Sequence, residues 1–422
     1  MSRRGVAASV ETPASWLVAC TVVAILAITS GTPWVLVVAL KPVAAELGVA
    51  RSVPALAGAL AVLGAGFGGI AMGWLAERYG VRRVVLAGTA MVCAGHLVAS
   101  SGGVWTLCIS YAFMLGLLGN AAINQPLLVH VSRWFDRHRG SALALVASGQ
   151  YLGGILWPAI FERALQGWGW RHTMATFGLL QFVLVAPLVL LLLRPLPAEL
   201  RARQLASGPR RGASVLGRPP NQALALLATA SFLCCIPMAL PTTHLVALCT
   251  DLGLTPARGV AMLSVLQLCA FASRQFWGFL SDRIGGLRSV LAGSVCQMLA
   301  IGGFLLTQDE IGLFTAASAF GLGFAGIIPA YQMTVRELFP AAEAGWRLPS
   351  VSLGGTLGMA GGAWLGGVIY DQFGSYAPAF GLGVVFNLLN IALLSTLVVS
   401  RKQGQGSVLD PAGVGGPLHP IP

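Results

Sequence analysis

Long apolar runs separated by short polar connections form the dominant pattern of this 422-residue chain. Runs of about 20 apolar residues match the roughly 30 Å thickness of the hydrocarbon core of a bilayer. Because an open sheet edge cannot be satisfied in lipid, each run predicts a helix. We predict twelve spans, at residues 15–40, 53–76, 84–101, 104–131, 140–161, 172–193, 222–248, 258–281, 288–307, 311–335, 348–370 and 376–400.

The connections divide these spans into two groups of six. Residues 194–221 form the one long polar stretch between spans, rich in Pro, Gly and Arg, and predict a linker without a core of its own. The predicted fold is therefore an all-α membrane protein. Its parts are an N-terminal tail (1–14), a six-helix bundle (15–193), the linker (194–221), a second six-helix bundle (222–400) and a C-terminal tail (401–422).

Composition agrees with this class, since 56% of the residues are hydrophobic and only 9% are charged. The net charge of +12 comes from basic residues in short loops, which is a topology signal and disfavours a nucleic-acid partner. With the N-terminus in the cytoplasm, 20 of the 26 basic residues lie on the cytoplasmic side. The opposite side then carries Lys41, Arg51, Arg163, Arg171 and Arg258, and Arg274 falls inside a span. We therefore expect a multi-pass membrane protein with both termini cytoplasmic. Only two of the 26 basic residues are lysine, the loops are short and no N-x-[ST] acceptor occurs, which indicates a bacterial inner membrane.

The eight cysteines mostly fall within apolar runs, without C-x-x-C pairs or zinc-like spacing. No nucleophile–base pair, metal cluster or phosphate-binding loop is apparent, so we expect no enzyme activity and no cofactor.

An eleven-residue phrase occurs twice, as GWLAERYGVRR (73–83) and GFLSDRIGGLR (278–288), each after the second span of its group. The phrase resembles the signature loop of the major facilitator superfamily, and the resemblance covers nearly the whole chain. It implies two bundles that rock about a central cavity, with a conformational latch formed by carboxylates, arginines and helix ends. Glu77 stands where the family usually has Asp. The latch candidates are Gly73, Glu77, Arg78, Gly80, Arg82, Arg83, Gly278, Asp282, Arg283, Gly285 and Arg288. A solvated loop that only fixes topology is the competing interpretation.

Further phrases resemble the monocarboxylate transporter and oxalate/formate antiporter branch, among them LKPVAAELGVARS (40–52) and SRQFWGFLSDRIGG (273–286). In that branch, an arginine four residues before the signature glycine is thought to hold the substrate carboxylate, and Arg274 has this position before Gly278. The chain departs from the branch at Ala270, where an acidic residue is common. The dicarboxylate antiporters of the branch are expected to have a second cation in the eleventh helix, and residues 354–367 contain none. Members of the branch also use a lysine in the first helix, whereas Lys41 lies at the outer end of that helix.

Arg274 is a candidate functional residue even without the resemblance, because a charge inside a span is costly and normally faces a cavity or a partner. No Asp or Glu falls inside any predicted span to neutralise Arg274, so its guanidinium is a candidate binding site for an anionic ligand. Snorkelling of Arg274 to the interface remains open. Further candidates for substrate contact are His244, Gln267, Gln150, Tyr151, Tyr331, Gln332 and Trp34, and helix–helix hydrogen bonds would explain each of them equally well.

The sequence therefore predicts a secondary transporter of small, monocarboxylate-like organic anions that works by alternating access. We expect a monomer in the lipid bilayer that takes an anionic small molecule, together with a co-transported ion or an exchanged anion. An efflux carrier of drugs or other neutral or amphipathic solutes on the same fold is the alternative.

Overall fold

The computed structural model describes residues 11–135, 139–193, 219–339 and 341–406. Most of the predicted tails and linker, and Arg137, lie outside these residues. The described part is built from helices, and we refer to residues 11–193 as the first half and residues 219–406 as the second half.

The first half begins with α1 (Pro13–Thr29) and α2 (Gly31–Leu47), which together make one membrane-spanning segment interrupted at Ser30. It continues with α3 (Ser52–Tyr79), α4 (Val81–Ser101), α5 (Val104–Ile109), a π-helix (Ser110–Asn120) and α6 (Ala121–Ser132). The last long element is α7 (Arg139–Pro187), followed by a π-helical turn (Leu188–Leu192). Gly169 breaks α7 with a φ of 72°, which only glycine adopts at little cost.

The second half contains α8 (Pro220–Asp251), α9 (Pro256–Ile284), α10 (Gly286–Leu306) and α11 (Glu310–Phe324). It ends with α12 (Ile327–Leu338), α13 (Ala341–Phe373) and α14 (Ala377–Gly406). Pro237 and Pro241 lie inside α8, where each removes a backbone hydrogen bond.

Within the described residues, ten segments are long and apolar enough to cross a membrane, which confirms a multi-pass helical protein. The predicted division near residues 100–103 is confirmed, since α4 ends at Ser101 and α5 begins at Val104. The predicted spans 140–161 and 172–193 are joined in one long helical element, α7, which continues past residue 161 through the buried Glu162 to the break at Gly169.

The two halves meet along helix pairs from opposite halves. On α3, Gly66 lies so close to Thr356 of α13 that a Cβ atom at Gly66 would come within 2.6 Å of its methyl carbon. On α7, a Cβ atom at Gly154 would come within 3.0 Å of the Gln267 side chain on α9. These small residues allow close approach of the helices, and they bring polar side chains of one half against the other.

Candidate functional site

Arg274 lies on α9 at the contact between the two halves. Its Nη1 donates to the hydroxyl of Tyr151 on α7 at 3.2 Å, and its guanidinium carbon lies 5.5 Å from the centre of the tyrosine ring. The Tyr151 ring also packs edge-on against Phe324 of α11. Arg274 is thus half-buried and held by a neutral aromatic side chain from the opposite half.

No carboxylate of the described residues pairs with Arg274. A neutral hydroxyl and a ring face attract a guanidinium but do not neutralise it. The guanidinium therefore keeps donors and a full charge available for an anion, and its planar fork suits a carboxylate.

Gln267 lies seven residues before Arg274 on α9, in the same contact with α7. It is 3% exposed, and its Oε1 has no hydrogen-bond partner within the described part of the chain. Beside it, the hydroxyl of Ser264 donates to the carbonyl of Ile155 at 3.1 Å. Two polar groups of α9 therefore face α7 within one turn of each other, so the α7–α9 contact is polar from Ser264 to Arg274.

His244 is fully buried on α8 and belongs to a different environment. Its Nε2 lies 2.8 Å from the Ala363 carbonyl oxygen, which requires the proton on Nε2. Its ring lies 5.0 Å from the ring of Tyr376. The structure thus places His244 against α13 and the aromatic residue that precedes α14.

The remaining candidates are distributed over several elements. Gln150, next to Tyr151, is exposed and donates to Oδ1 of Asn124 at 2.9 Å. Trp34 is partly buried against the apolar core, and Gln332 is exposed. Tyr331 is buried, and its hydroxyl donates to Asn390 of α14 at 3.3 Å, within the second half. The structure therefore brings Gln150, Tyr151, Gln267 and Arg274 to the α7–α9 region and Tyr331 to another contact.

A charged network joins the halves at one end of the bundle, which we call the network end. Asp251, the last residue of α8, accepts hydrogen bonds from Arg51 at 2.5 and 2.8 Å and from Lys41 at 2.8 Å. Arg51 and Lys41 belong to the first half and Asp251 to the second. Both charges of the Arg51–Asp251 pair are largely shielded, with 16% and 20% of the side chains exposed, so salt weakens the pair less than a surface pair.

The same end holds a helix cap that crosses between the halves. The carboxylate of Asp371 accepts the backbone N–H groups of Arg51 and Ser52, both at 2.9 Å, where α3 begins. Such a cap satisfies backbone donors that the helix itself leaves unpaired.

Two tyrosines complete the network end. The Arg51 guanidinium lies 3.7 Å from the centre of the Tyr370 ring and donates to the Tyr376 hydroxyl at 3.4 Å. Burial lowers the pKa of Arg51, but the hydrogen bonds and charge interactions with Asp251 and Tyr376 together outweigh burial, and the pKa is raised overall. Burial raises the pKa of Tyr376 to about 12. Arg51 therefore stays charged and Tyr376 stays protonated across the physiological range.

The opposite end, which we call the basic end, carries the two repeated phrases. Glu77 accepts from Arg133 at 2.7 Å, which links the last turn of α3 to the residue after α6. Arg82 donates to the carbonyl oxygens of Leu193 and Leu190 at 2.5 and 2.8 Å, at the end of the first half. These contacts remain within the first half, and Arg133 lies outside the two repeated phrases that predicted the latch.

The other members of the phrases make local contacts. Arg78 lies over the rings of Trp74 and Tyr79, and Arg283 lies 4.1 Å from the centre of the Phe279 ring. Gly80 and Gly285 adopt φ values of 90° and 84° at the two tight turns. Asp282, Arg83 and Arg288 are exposed, and the backbone N–H of Gly286 donates to Glu337 at 2.8 Å. The carboxylate that accepts from the first residue of α10 thus belongs to Glu337 and not to Asp282.

Gly73 and Gly278, near the basic end, lie in open space. A Cβ atom added at Gly73 of α3 or Gly278 of α9 would meet nothing within 4 Å, whereas Gly66 and Gly367 lie tightly against the other half. Trp74 and Phe279 are also 57% and 56% exposed. Close contacts between the halves are therefore found at the network end and along the middle of the bundle, whereas Gly73 and Gly278 near the basic end have no such contact.

A cavity of about 720 Å³ lies at the network end, and Arg274 does not line it. Its walls come from α2, α7, α8 and α13 and from the start of α9, and they are mainly aliphatic. The charged side chains in the lining are Lys41, Arg51, Glu162 and Asp371. The site around Arg274 and this cavity are separate features of the interface between the halves.

A bundle of membrane-spanning helices with a half-buried cation at a helix–helix contact in its interior is typical of membrane transporters. The sequence model of the Major Facilitator Superfamily matches residues 19–346 and 227–414, and the chain belongs to this superfamily. The membership confirms the resemblance seen in the repeated phrases.

Relatives of known name include monocarboxylate transporter 13 of Bos taurus, 28% identical over 76% of this chain and 75% of the relative. An MFS-type transporter of an Ophiocordyceps species is 25% identical, and the match spans 64% of this chain and 60% of that protein. The agnestins efflux protein of Paecilomyces divaricatus is 25% identical over 76% of this chain and 72% of its own length.

Solved structures share the fold. A bacterial homologue of the human lysosomal transporter Spinster, in an inward-facing and occupied conformation, has a TM-score of 0.71 at 14% identity. That comparison covers 92% of this chain and 98% of the other. The peptide transporter POT in complex with sulfate has a TM-score of 0.69 at 15% identity, over 90% and 94% of the two chains.

Proposed function

We propose that this protein is a secondary transporter of small organic anions, with monocarboxylates as the substrate class and Arg274 as the group that binds the carboxylate. The observation that carries the proposal is the half-buried guanidinium of Arg274 in contact with Tyr151 across the interface between the halves. An unneutralised cation at that depth is stabilised by an anion and discriminates against cations.

Tyr151 gives the proposed site a contact that spans both halves. Its hydroxyl accepts from Arg274 and has a proton of its own to donate, so a carboxylate bound to Arg274 can accept from Tyr151 as well. Gln267, with its unpaired Oε1, and Gln150 supply further polar groups near α7 and α9. A ligand held by both halves favours conformations in which the halves approach each other around it.

We propose further that transport proceeds by alternating access between the network end and the basic end. Support comes from the cross-half contacts of Arg51, Asp251 and Asp371 at the closed end, and from the gap at Gly73 and Gly278 at the other. The excess of arginine supports a cytoplasmic location for the basic end and both termini, in a protein that we take to belong to a bacterial inner membrane. The Glu77–Arg133 pair and the repeated phrases then form a latch that rearranges when the basic end closes.

The efflux of neutral or amphipathic solutes is the second candidate function. It draws support from the fungal efflux relative and from the aliphatic lining of the cavity at the network end. An amphipathic solute would make little use of Arg274, so the two candidates differ in their response to the loss of this charge.

Uptake into proteoliposomes tests the proposal. A labelled panel of small mono- and dicarboxylates is offered to the wild type, to Arg274→Gln and to Arg258→Gln as the matched control, since Arg258 forms an exposed pair with Glu310. Uptake of a carboxylate that Arg274→Gln abolishes and Arg258→Gln retains supports the anion carrier. Uptake that is absent, or equal in all three proteins, would overturn the role of Arg274 and favour efflux of uncharged solutes.

A further inference from the structure

The helical segment formed by α11 and α12 is broken beside the anion site. α11 ends at Phe324, and two residues interrupt the helix before α12 begins. The ring of Phe324 packs edge-on against the ring of Tyr151, with 6.4 Å between the ring centres, and Tyr151 in turn binds Arg274. The break therefore lies against the pair of residues that we propose for the substrate carboxylate.

Two backbone carbonyls near the end of α11 accept hydrogen bonds from side chains of α9. Trp277 Nε1 donates to the carbonyl of Leu322 at 2.7 Å, and Ser273 Oγ donates to the carbonyl of Gly321 at 3.3 Å. In an unbroken helix, each carbonyl accepts from the N–H group four residues later, and for these two carbonyls those are the two residues of the break. Because backbone acceptors without donors are costly inside a membrane, the side chains of α9 stabilise the interrupted helix.

Trp277 makes the stronger of these two contacts. Ser273 Oγ also lies 3.3 Å from the carbonyl oxygen of Ala270 on its own helix, so its single proton is shared between two acceptors. The indole of Trp277 is only 5% exposed, and a Cβ atom added at Gly326 in the break would overlap its Cβ atom. Trp277 is therefore both packed against the break and bonded to it.

The contact of Trp277 with the break determines where Arg274 points. At 3.6 residues per turn, Ser273 and Trp277 lie roughly 40° apart around the axis of α9, and Arg274 lies about 60° beyond Trp277. One face of α9 is thus held against α11, while the adjacent face presents Arg274 to Tyr151 on α7. A rotation of α9 about its axis would carry the guanidinium away from Tyr151, and the bond to α11 opposes that rotation.

We propose that Trp277 is a positioning residue of the anion site, whose indole N–H fixes the rotation of α9 that holds Arg274 against Tyr151. Its effect on transport rests on the proposed function, whereas the arrangement of Arg274 and Tyr151 can be measured without a substrate. Trp277 acts through Arg274 and needs no contact with the transported molecule. A tryptophan that only fills space would be replaced by phenylalanine without any effect on Tyr151.

Fluorine NMR of Tyr151 tests the arrangement directly. The protein is labelled with 3-fluorotyrosine at its six tyrosines, and the resonance that disappears in Tyr151→Phe is assigned to Tyr151. Arg274→Gln then gives the chemical shift of Tyr151 without a guanidinium beside it. We expect Trp277→Phe, which keeps an aromatic ring but has no donor, to move the Tyr151 resonance toward its value in Arg274→Gln.

Trp157→Phe is the matched control. Trp157 is also buried, and its Nε1 donates to the carbonyl of Ala27 at 2.9 Å, in a bond that lies within the first half. The same chemical loss there should lower the melting temperature by a similar amount and leave the Tyr151 resonance in place. Ser273→Ala, a milder change on α9, should move the resonance in the same direction as Trp277→Phe but to a smaller extent.

Transport kinetics separate positioning from general destabilisation. For a carboxylate that the wild type takes up, Trp277→Phe should raise KM by about two- to tenfold, the range expected for one neutral hydrogen bond, while kcat stays nearly constant. Trp277→Phe and Tyr151→Phe together should raise KM by less than the product of their single effects, because both act on the contact with Arg274.

A Tyr151 resonance that stays in place in Trp277→Phe and Ser273→Ala, or that moves equally in Trp157→Phe, would overturn the proposal. Independent effects of Trp277→Phe and Tyr151→Phe on KM would overturn it as well. Absence of carboxylate uptake by the wild type would contradict the proposed function but leave the NMR measurement intact, so the two proposals fail separately.

Discussion

Arg51 and Asp251 join the two halves of the chain by a bidentate pair of hydrogen bonds, with nitrogen–oxygen distances of 2.5 and 2.8 Å. Arg51 has no other carboxylate side chain in this contact, since Asp371 binds its backbone and Lys41 shares Asp251. The stability of the closed network end therefore depends strongly on a single carboxylate.

Replacing Asp251 with asparagine is expected to open the network end. Two cations would then lie close together without a counter-ion, at a cost of about 2 kcal/mol, or roughly thirtyfold in the closed-to-open ratio. Spin labels attached through Trp168→Cys and Gln308→Cys, both exposed positions, measure the change by double electron–electron resonance in lipid nanodiscs, with the exposed Cys20 and Cys296 replaced by serine. Glu310→Gln is the control because its partner Arg258 is 60% exposed. An unchanged distance distribution in Asp251→Asn would show that the network does not hold this end closed.

Removing the hydroxyl of Tyr151 is expected to weaken substrate binding more than it affects folding. Tyr151→Phe keeps the ring beside Arg274 but loses the oxygen that accepts from it, a bond to a charged group worth about 1.5–3 kcal/mol. We expect KM for the carboxylate to rise by about tenfold or more while the melting temperature stays nearly constant. Tyr79→Phe, at an exposed position, serves as the control, and equal kinetics in both variants would argue against a substrate contact at Tyr151.

The close contact between Gly66 and Thr356 predicts a pair of compensating substitutions. A methyl group at position 66 would lie 2.6 Å from Thr356 Cγ2, so Gly66→Ala should cost about 1–3 kcal/mol of the closed conformation. Thr356→Ala removes that methyl carbon and should restore the closed distance in the double variant. Additive effects of the two substitutions would contradict the proposed contact, because residues that touch are expected to be coupled.

The Glu77–Arg133 pair should contribute little to stability, since its two side chains are 60% and 30% exposed. Such pairs are typically worth less than about 1 kcal/mol. If the pair belongs to a latch, Glu77→Gln and Arg133→Gln should each alter the transport rate, and the double variant should be no worse than either. Thermal melting and uptake rate measured together decide the matter, and a loss of melting temperature that parallels the loss of rate would contradict the latch.

The apolar runs sufficed to predict the helices and most of their boundaries, because the length of a span is set by the bilayer. They could not predict that α7 continues past residue 161, since a fall in hydropathy occurs both where a helix ends and where a polar residue lies within a continuing helix. Arg274 was apparent as a charge inside a span, but its contact with Tyr151 is set by the packing of two distant helices. The sequence pattern does not predict the contacts of Asp251 and Asp371 with Arg51, because carboxylates at the ends of spans are common and only the fold brings these two to Arg51.

The cap that Asp371 places on α3 makes the two halves unequally tolerant of mutation at the network end. The donors are backbone N–H groups of Arg51 and Ser52, which remain whatever side chain occupies those positions, with proline as the exception. The acceptor is one side chain, which any substitution alters. Substitutions at positions 51 and 52 can therefore leave this contact intact, whereas a substitution of Asp371 removes it. Natural selection for this contact consequently constrains Asp371 in the second half more than its partners in the first half.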